Sequence, residues 1–150
     1  MKMGIITAAV ILAVSWASPA RAFLGSNENS LNVAKLLFAP RSEKITNRPS
    51  HTVHEYAVIR GVIRAYVSSN GDVFAYTGRD QMGHPPPELL GPYLKEYQDA
   101  VREARRKYGR RPLSINTAHI KAGISGPQGS LHWYIYLQNL PAGVSADDIQ

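Results

Sequence analysis

The strongest constraint on the fold is the segment GVIRAYVSSNGDVFAYTG, residues 61–78, in which two β-rich runs flank Asn70-Gly71. An Asn-Gly pair in this setting predicts a hairpin, because a type I′ turn needs positive φ at both central residues. We therefore interpret the glycine-bounded centre as a turn and not as a ligand cradle. Alternation then predicts a core face and an opposite face. The core face carries Ile63, Ala65, Val67, Phe74 and Tyr76, and the other carries Arg64, Tyr66, Ser68, Val73 and Thr77.

Three more segments have strand character. Residues 52–59, TVHEYAVI, alternate imperfectly and precede the hairpin. Residues 112–122, PLSINTAHIKA, and residues 130–140, SLHWYIYLQNL, alternate more clearly. The glycine- and proline-rich stretch GISGPQGS between them predicts a second hairpin.

One segment has a convincing helical period. Apolar residues recur at intervals of three and four from position 94 to position 108, and Gly109 suits the C-terminal cap. The stripe consists of Leu94, Tyr97, Val101, Ala104 and Tyr108. A shorter apolar island, LNVAKLLFA, has roughly helical spacing near the start of the chain. The order of strand, hairpin, helix and hairpin predicts an α+β fold, with an antiparallel sheet of about five strands and one main helix packed on it.

The first residues read as an export signal. Lys2 precedes the apolar run IITAAVILAV, and Ala20-Arg21-Ala22 forms a small-x-small cleavage site. We predict a signal peptide over residues 1–22, a weakly structured lead-in over 23–50 and a single α+β domain over 51–150. Cleavage after Ala22 is preferred, and Ala17 and Ala20 stay open as cleavage positions. The expected location is the periplasm or cell surface of a Gram-negative-type bacterium, with no transmembrane segment after cleavage.

Composition excludes several chemistries. The chain has no cysteine, which removes thiol catalysis, iron–sulfur ligation, c-type haem attachment and disulfides. Its formal net charge is +6, and part of this excess remains once Lys2 and Arg21 are cleaved off. A basic excess favours acidic partners. In an envelope those partners are anionic lipid, polysaccharide or an acidic protein, and we expect no nucleic acid.

No arrangement of residues predicts a catalytic, cofactor or metal site. His51 and His54 are the closest of the five histidines, but on a strand their rings point to opposite faces and no third ligand stands nearby. No nucleophile motif surrounds Ser125 or Ser130. The paired acids Asp147 and Asp148 fit a short helical turn capped by Ser145.

The densest charge feature is a basic cluster near the end of the predicted helix. It can complement the helix dipole and be solvated, or it can bind anions. The cluster consists of Arg105, Arg106, Lys107, Arg110 and Arg111. This cluster is the candidate anion-binding site.

Several motifs together resemble an exported bacterial family, the domain of unknown function 2844. GVIRAYVSSNGDVFA is similar to the hairpin of that family, PPELLGPYLKEY to its helix start, and LPAGVSADDIQ to its close. The resemblance runs from about residue 52 to residue 150 and implies the fold and export, without a mechanism. Two features depart from the family pattern. The usual Trp before the glycine that ends the second hairpin arm is missing from AYTG, and a Gly-Gly-His segment appears only as GPQGSLHW.

These observations favour a non-enzymatic binding or accessory module without a cofactor, acting on an envelope component or a partner protein. The alternative is a small envelope hydrolase that uses a histidine. His119 and His132 lie on the two arms of the second predicted hairpin. Their meeting a carboxylate in one cleft would favour that alternative.

Overall fold

The protein is an α+β fold built on one antiparallel sheet. The computed structural model describes residues 23–80, 83–109 and 112–149, so the predicted signal peptide lies outside the described residues. Seven strands follow the spatial order β1-β2-β3-β4-β7-β6-β5. They are β1 (Ser42–Asn47), β2 (His51–Val58), β3 (Gly61–Ser68), β4 (Val73–Asp80), β5 (Leu113–Asn116), β6 (Ile120–Ser125) and β7 (Leu131–Leu137). The helices are α1 (Leu31–Phe38) and α2 (Leu94–Tyr108).

The sheet has seven strands where the sequence predicted about five. One addition is β1, which lies within the expected lead-in and is exposed along its whole length. A strand without a buried face has no alternation of apolar and polar residues to reveal it. The other addition arises because the predicted strand over 112–122 is broken by a turn. The N–H of Thr117 donates to the carbonyl oxygen of Ile120 at 3.0 Å, and β5 and β6 pair antiparallel on either side.

The main core lies between one face of the sheet, here the first face, and the two helices. Tyr56, Ala65, Tyr76 and Ile135 are among the buried sheet residues, and Tyr97 is the buried residue of α2. Full burial of a side chain such as Ile135 contributes about 1.5–3 kcal/mol to the stability of the fold. The predicted helical stripe therefore packs as expected, except at its last member: Tyr108 is exposed. No helix in the described ranges is long and apolar enough to cross a membrane.

The opposite face, here the second face, carries a smaller apolar cluster. Tyr66, Phe74 and Tyr136 are buried there against Ile149. Residues 140–149, here the C-terminal segment, cross this face, and Leu140 and Val144 also pack on it. The segment ends in a 3₁₀ turn, Ala146–Asp148, with Ser145 at the N-cap position that the sequence predicted. The Ser145 N–H donates to the Asp148 carboxylate at 2.8 Å.

The central hairpin forms where predicted, but its turn is of another type. Gly71 has φ of 85°, whereas Asn70 keeps a negative φ. Gly71 N–H donates to Ser68 O at 2.9 Å, and Ser68 N–H donates to Asp72 O at 2.9 Å. These bonds define a three-residue connection in which a left-handed glycine follows a type I turn. The predicted type I′ turn is therefore wrong.

A bulge next to this turn exchanges two side chains between the faces. Ala65 pairs with Tyr76 as predicted, but Val67 pairs with Val73 and not with Phe74. Val73 consequently lies in the main core and Phe74 in the second-face cluster, the reverse of the prediction. The cause is non-local. Val73 N–H donates to Ser26 O at 2.8 Å, and Val73 O accepts from Gly25 N–H at 2.7 Å, so its backbone bonds to the N-terminal segment.

The turn geometry predicts unequal effects of alanine at positions 70 and 71. Gly71→Ala should destabilise the protein by about 1 kcal/mol, since alanine is strained at positive φ. The added Cβ itself would meet only Asn27 Nδ2, at 3.6 Å. Asn70→Ala should stay within about 0.5 kcal/mol of wild type. Urea unfolding of both variants measures the difference, and equal losses would restore the type I′ turn.

Candidate functional site

The C-terminal segment leaves part of the second face open as a groove, here the arginine groove. Its volume is about 660 Å³, in the range of small-molecule sites. Ala146, Asp147 and Ile149 of the C-terminal segment form one wall. The polar floor consists of Arg64, Thr77, Arg79, Ser125, His132 and Tyr134.

Strand register creates this floor from residues far apart in the sequence. Arg79 pairs with His132, and His132 pairs in turn with Ser125 on the next strand. In the neighbouring row Arg64 pairs with Thr77, and Thr77 with Tyr134. Directly paired residues of antiparallel strands have Cβ atoms about 4.5–5.5 Å apart on the same face. Two adjacent rows of side chains from β3, β4, β7 and β6 therefore form one surface.

The floor has a positive charge that is only partly neutralised. Arg64 Nε donates to Glu55 Oε2 at 2.7 Å, an ion pair within the sheet surface. Arg79 Nε donates to the neutral hydroxyl of Ser130 at 3.0 Å. The described residues give Arg79 no carboxylate partner. Among the described residues that line the groove, Asp147 on the wall is the one acidic residue.

A tight contact beneath the groove fixes the relative position of β4 and β7. Gly78 pairs with Trp133, and a Cβ at position 78 would lie only 2.2 Å from the indole ring. Trp133 Nε1–H donates to Asp80 Oδ2 at 3.1 Å. A larger residue at 78 would displace the indole. Thr77, the residue before this glycine, lies in the groove floor.

A second groove, of about 640 Å³, lies on the other side of the C-terminal segment and includes His51. His51 is 4% exposed, and its Nδ1 hydrogen-bonds with Ser50 Oγ at 2.9 Å. Its Nε2 is buried without a hydrogen-bond partner among the described residues. Burial lowers the pKa of His51, as does the nearby Arg48, while Asp148 opposes the shift. Because no carboxylate among the described residues hydrogen-bonds to the His51 ring, no Ser-His-Asp triad forms in this part of the structure.

His54 lies on the first face, so the two rings of the His51-x-x-His54 pair point apart as predicted. The ring nitrogens of His54 lie 3.0 Å from a Glu28 oxygen and 3.4 Å from a Glu43 oxygen. Burial alone would raise the pKa of Glu43, but hydrogen bonds from Lys35 and His54 outweigh it and hold that pKa below its usual range. Within the described ranges no three His, Asp or Glu side chains form a metal-binding group.

His119 and His132 lie at opposite ends of the β6–β7 hairpin, so their approach does not occur. His119 directly precedes the Ile120–Leu137 pair, and His132 pairs with Ser125 at the far end. His119 Nδ1 instead lies 3.0 Å from Glu96 Oε2 on α2. Thr117 Oγ1–H and His119 N–H both donate to Glu96 Oε1. The Thr117 hydrogen bond is the main reason that the pKa of Glu96 is lowered.

A profile for a protein family described as "Protein of unknown function (DUF2844)" matches residues 20–149. The chain belongs to the DUF2844 family. No curated protein and no solved structure matches the chain. The match includes every residue of both grooves, but the family description assigns no ligand or reaction, so the function must be argued from the site.

The basic cluster of this DUF2844 protein is only partly described. Arg105, Arg106 and Lys107 are exposed on the last turn of α2, and Arg110 and Arg111 lie outside the described residues. Arg106 pairs with Glu103 at 2.9 Å, and Lys107 Nζ lies 5.1 Å from the centroid of the Tyr108 ring. Because α2 packs on the first face, this cluster and the arginine groove lie on opposite sides of the sheet.

Sequence reasoning did not find the arginine groove. The predicted hairpin already placed Arg64 and Thr77 together on the non-core face, which was a usable signal. The groove also requires His132 beside Arg79, and this depends on the pairing of β4 with β7 across the intervening α2. No local pattern specifies that pairing.

The Glu96 contacts predict a pH-dependent contribution to stability. Because its pKa is lowered in the folded state, the Glu96 carboxylate stabilises the protein above the ordinary glutamate pKa of about 4.3, and this contribution is lost as the pH falls through the folded-state value. Glu96→Gln should therefore cost about 1 kcal/mol at pH 7 and progressively less in acid. Urea unfolding across this pH range measures it.

Glu103→Gln is the matched control for that measurement, since Glu103 forms an exposed pair with Arg106 on the same helix. The Glu103→Gln substitution should lower the free energy of unfolding by less than about 0.5 kcal/mol, both at pH 7 and in acid. An equal loss in both variants would contradict a specific role for Glu96.

Proposed function

We propose that this DUF2844 protein is an exported, non-enzymatic binding module that holds an anionic carbohydrate of the envelope in the arginine groove. The observation that carries the proposal is the convergence of Arg79, Arg64 and His132 on one open floor. Charged side chains that only contact water would not need to line a groove. A groove that presents guanidinium and hydroxyl groups together fits a ligand that carries both negative charge and hydroxyls.

The chemistry of the floor selects the ligand class. Arginine presents a planar set of donors that matches a carboxylate or phosphate group. Thr77, Ser125 and Tyr134 add hydroxyl groups that can exchange hydrogen bonds with sugar hydroxyls. The ring of Tyr134 also adds an aromatic surface to the floor. This ring stacks with that of Tyr136 at a centroid distance of 5.9 Å. An acidic polysaccharide supplies all of the matching groups.

The hydrolase alternative retains one supporting observation. Ser125, His132 and Asp147 line the same groove, and these are the residue types of a nucleophile, a base and an orienting acid. No hydrogen bond joins any two of these three side chains in the described part of the chain. A catalytic set needs hydrogen bonds that activate the nucleophile and orient the base. Binding is therefore the better-supported function.

The export part of the proposal rests on the start of the chain. Leu24, two residues after the predicted cleavage site, is fully buried, and its N–H donates to Leu89 O at 2.8 Å. Cleavage after Ala22 would leave these contacts intact. Cleavage several residues further along the chain would remove Leu24 from the core.

Export can be tested by the mass of the mature protein. The form recovered from the periplasm should begin at Phe23, because the small-x-small site ends at Ala22. Intact-mass spectrometry of fractionated cells gives the result. Recovery of only the full-length chain, from the cytoplasm, would contradict export.

Binding can be tested with Arg79→Gln and polygalacturonic acid as the anionic polysaccharide. Loss of the guanidinium should weaken binding by about tenfold, roughly 1.4 kcal/mol. Arg60→Gln is the matched control, since Arg60 lies exposed in the β2–β3 turn. Binding should also weaken with added salt, because exposed charges are screened beyond about 8–10 Å at physiological ionic strength. Titration by calorimetry measures these affinities.

The same titrations separate the other hypotheses. Loss of binding in Arg105→Gln with Arg106→Gln, or in Arg110→Gln with Arg111→Gln, would move the site to the basic cluster. Equal binding of neutral dextran would contradict an anionic ligand, and preference for phosphatidylglycerol vesicles would replace the polysaccharide with a lipid. Turnover of 4-nitrophenyl acetate that disappears in Ser125→Ala would favour the hydrolase.

A further inference from the structure

One edge of the sheet is open. Within the described ranges β1 pairs only with β2, and all six of its residues are exposed. The opposite edge, β5, has four residues and is packed by α2. Natural proteins usually protect an open edge, since its unpaired N–H and C=O groups can join another strand. What β1 can join depends on which of its backbone groups are unused.

The hydrogen-bond phase of the β1–β2 hairpin identifies those groups. Arg48 N–H donates to His51 O at 2.8 Å, so this pair is a hydrogen-bonded one. Hydrogen-bonded pairs recur at every second residue of an antiparallel ladder. In the observed register, Ser42, Lys44 and Thr46 therefore bond to β2. The N–H and C=O groups of Glu43, Ile45 and Asn47 point away from the sheet.

These outward groups are complementary to themselves. If Ile45 faces Ile45 of a second copy across a two-fold axis, Glu43 of each copy faces Asn47 of the other. All three outward residues then form hydrogen-bonded pairs at once. The side chains agree with this register, because Lys44 faces Thr46 of the second copy. A register centred on Lys44 would place the two Lys44 side chains opposite each other, and like charges directly opposite are destabilising.

Apolar residues lie on the same side of this edge. Ile45 shares the first face with its partner His54 and is 54% exposed. Lys35 of α1 lies 2.7 Å from Glu43 of β1, so the helix is held against the edge strand. The same helix exposes Leu36 and Leu37. An exposed isoleucine at the centre of the edge gives the contact an apolar component.

We propose that β1 is a homodimerisation edge, on which a second copy of this chain pairs antiparallel with Ile45 on the two-fold axis. The two sheets then join into one continuous sheet. The partner is a second copy and not an unrelated peptide, because the hydrogen-bond phase matches when the strand meets itself and no like charges then lie directly opposite.

The cysteine-free chain allows a direct test by cross-linking. Ile45→Cys places two thiols across the axis, in a hydrogen-bonded pair with a Cα separation of about 5.5 Å, which a disulfide can span. Ile59→Cys is the matched control, since Ile59 is 72% exposed in the β2–β3 turn. The Ile45→Cys dimer should form about tenfold faster or more under mild oxidation, because pairing raises the effective thiol concentration. Equal rates for the two variants would overturn the proposal.

The register can be tested with Lys44→Cys, whose side chain faces Thr46 and not its own copy. Its cross-linking should be slower than that of Ile45→Cys. Faster cross-linking through Lys44→Cys would overturn the Ile45-centred register.

Sedimentation velocity tests the dimer without a covalent bond. The wild-type protein should contain dimer at about 100 μM, a concentration suited to a micromolar association. Ile45→Lys should be monomeric and Ile59→Lys should behave as wild type, with circular dichroism showing that each variant is folded. Ile45→Pro should also be monomeric, because it removes an outward N–H that β2 does not use. A monomeric wild type, or dimeric Ile45→Lys, would overturn the proposal.

Discussion

The pairing of β4 with β7 holds the two halves of this protein together. β1 to β4 form one run of antiparallel strands, β5 to β7 form another, and α2 lies between them in the chain. The two runs meet where Trp133 packs against Gly78, and the indole N–H is bound by Asp80. The core under α2 and the arginine groove above the sheet both depend on this junction. A side chain at position 78 would therefore disturb the packing on one face and the proposed ligand site on the other.

Local signals predicted the elements whose buried faces have a regular period. The central hairpin and α2 follow from alternation, from helical spacing and from Asn70-Gly71 and Gly109 as terminators. β1 could not be predicted, because an edge strand exposed at every position leaves no pattern. The exchange of Val73 and Phe74 between faces was also invisible. It results from backbone hydrogen bonds between Val73 and the segment at residues 25 and 26, which lies far away in the sequence.

The candidate site divides in the same way. Arg64 and Thr77 belong to one hairpin, and alternation placed both on the non-core face. His132 joins them only through the β4–β7 pairing, so no local pattern could indicate it. The basic cluster on α2 was conspicuous because its charges are consecutive in the sequence. The structure places its described members on an exposed helix end, with Arg106 already paired to Glu103. In the groove, the Arg79 side chain hydrogen-bonds to the neutral Ser130 hydroxyl and has no carboxylate partner among the described residues.

The proposed dimer and the proposed ligand site are geometrically compatible. The groove lies over β3, β4, β7 and β6, and β2 separates it from the β1 edge. Pairing through β1 about an axis perpendicular to the sheet would leave both grooves open, facing the same side of one extended sheet. Two equivalent sites on one surface can engage a single polymer together, and the second contact then benefits from a high effective concentration. A repeating anionic carbohydrate is a ligand for which such pairing matters, since each groove alone offers few charges.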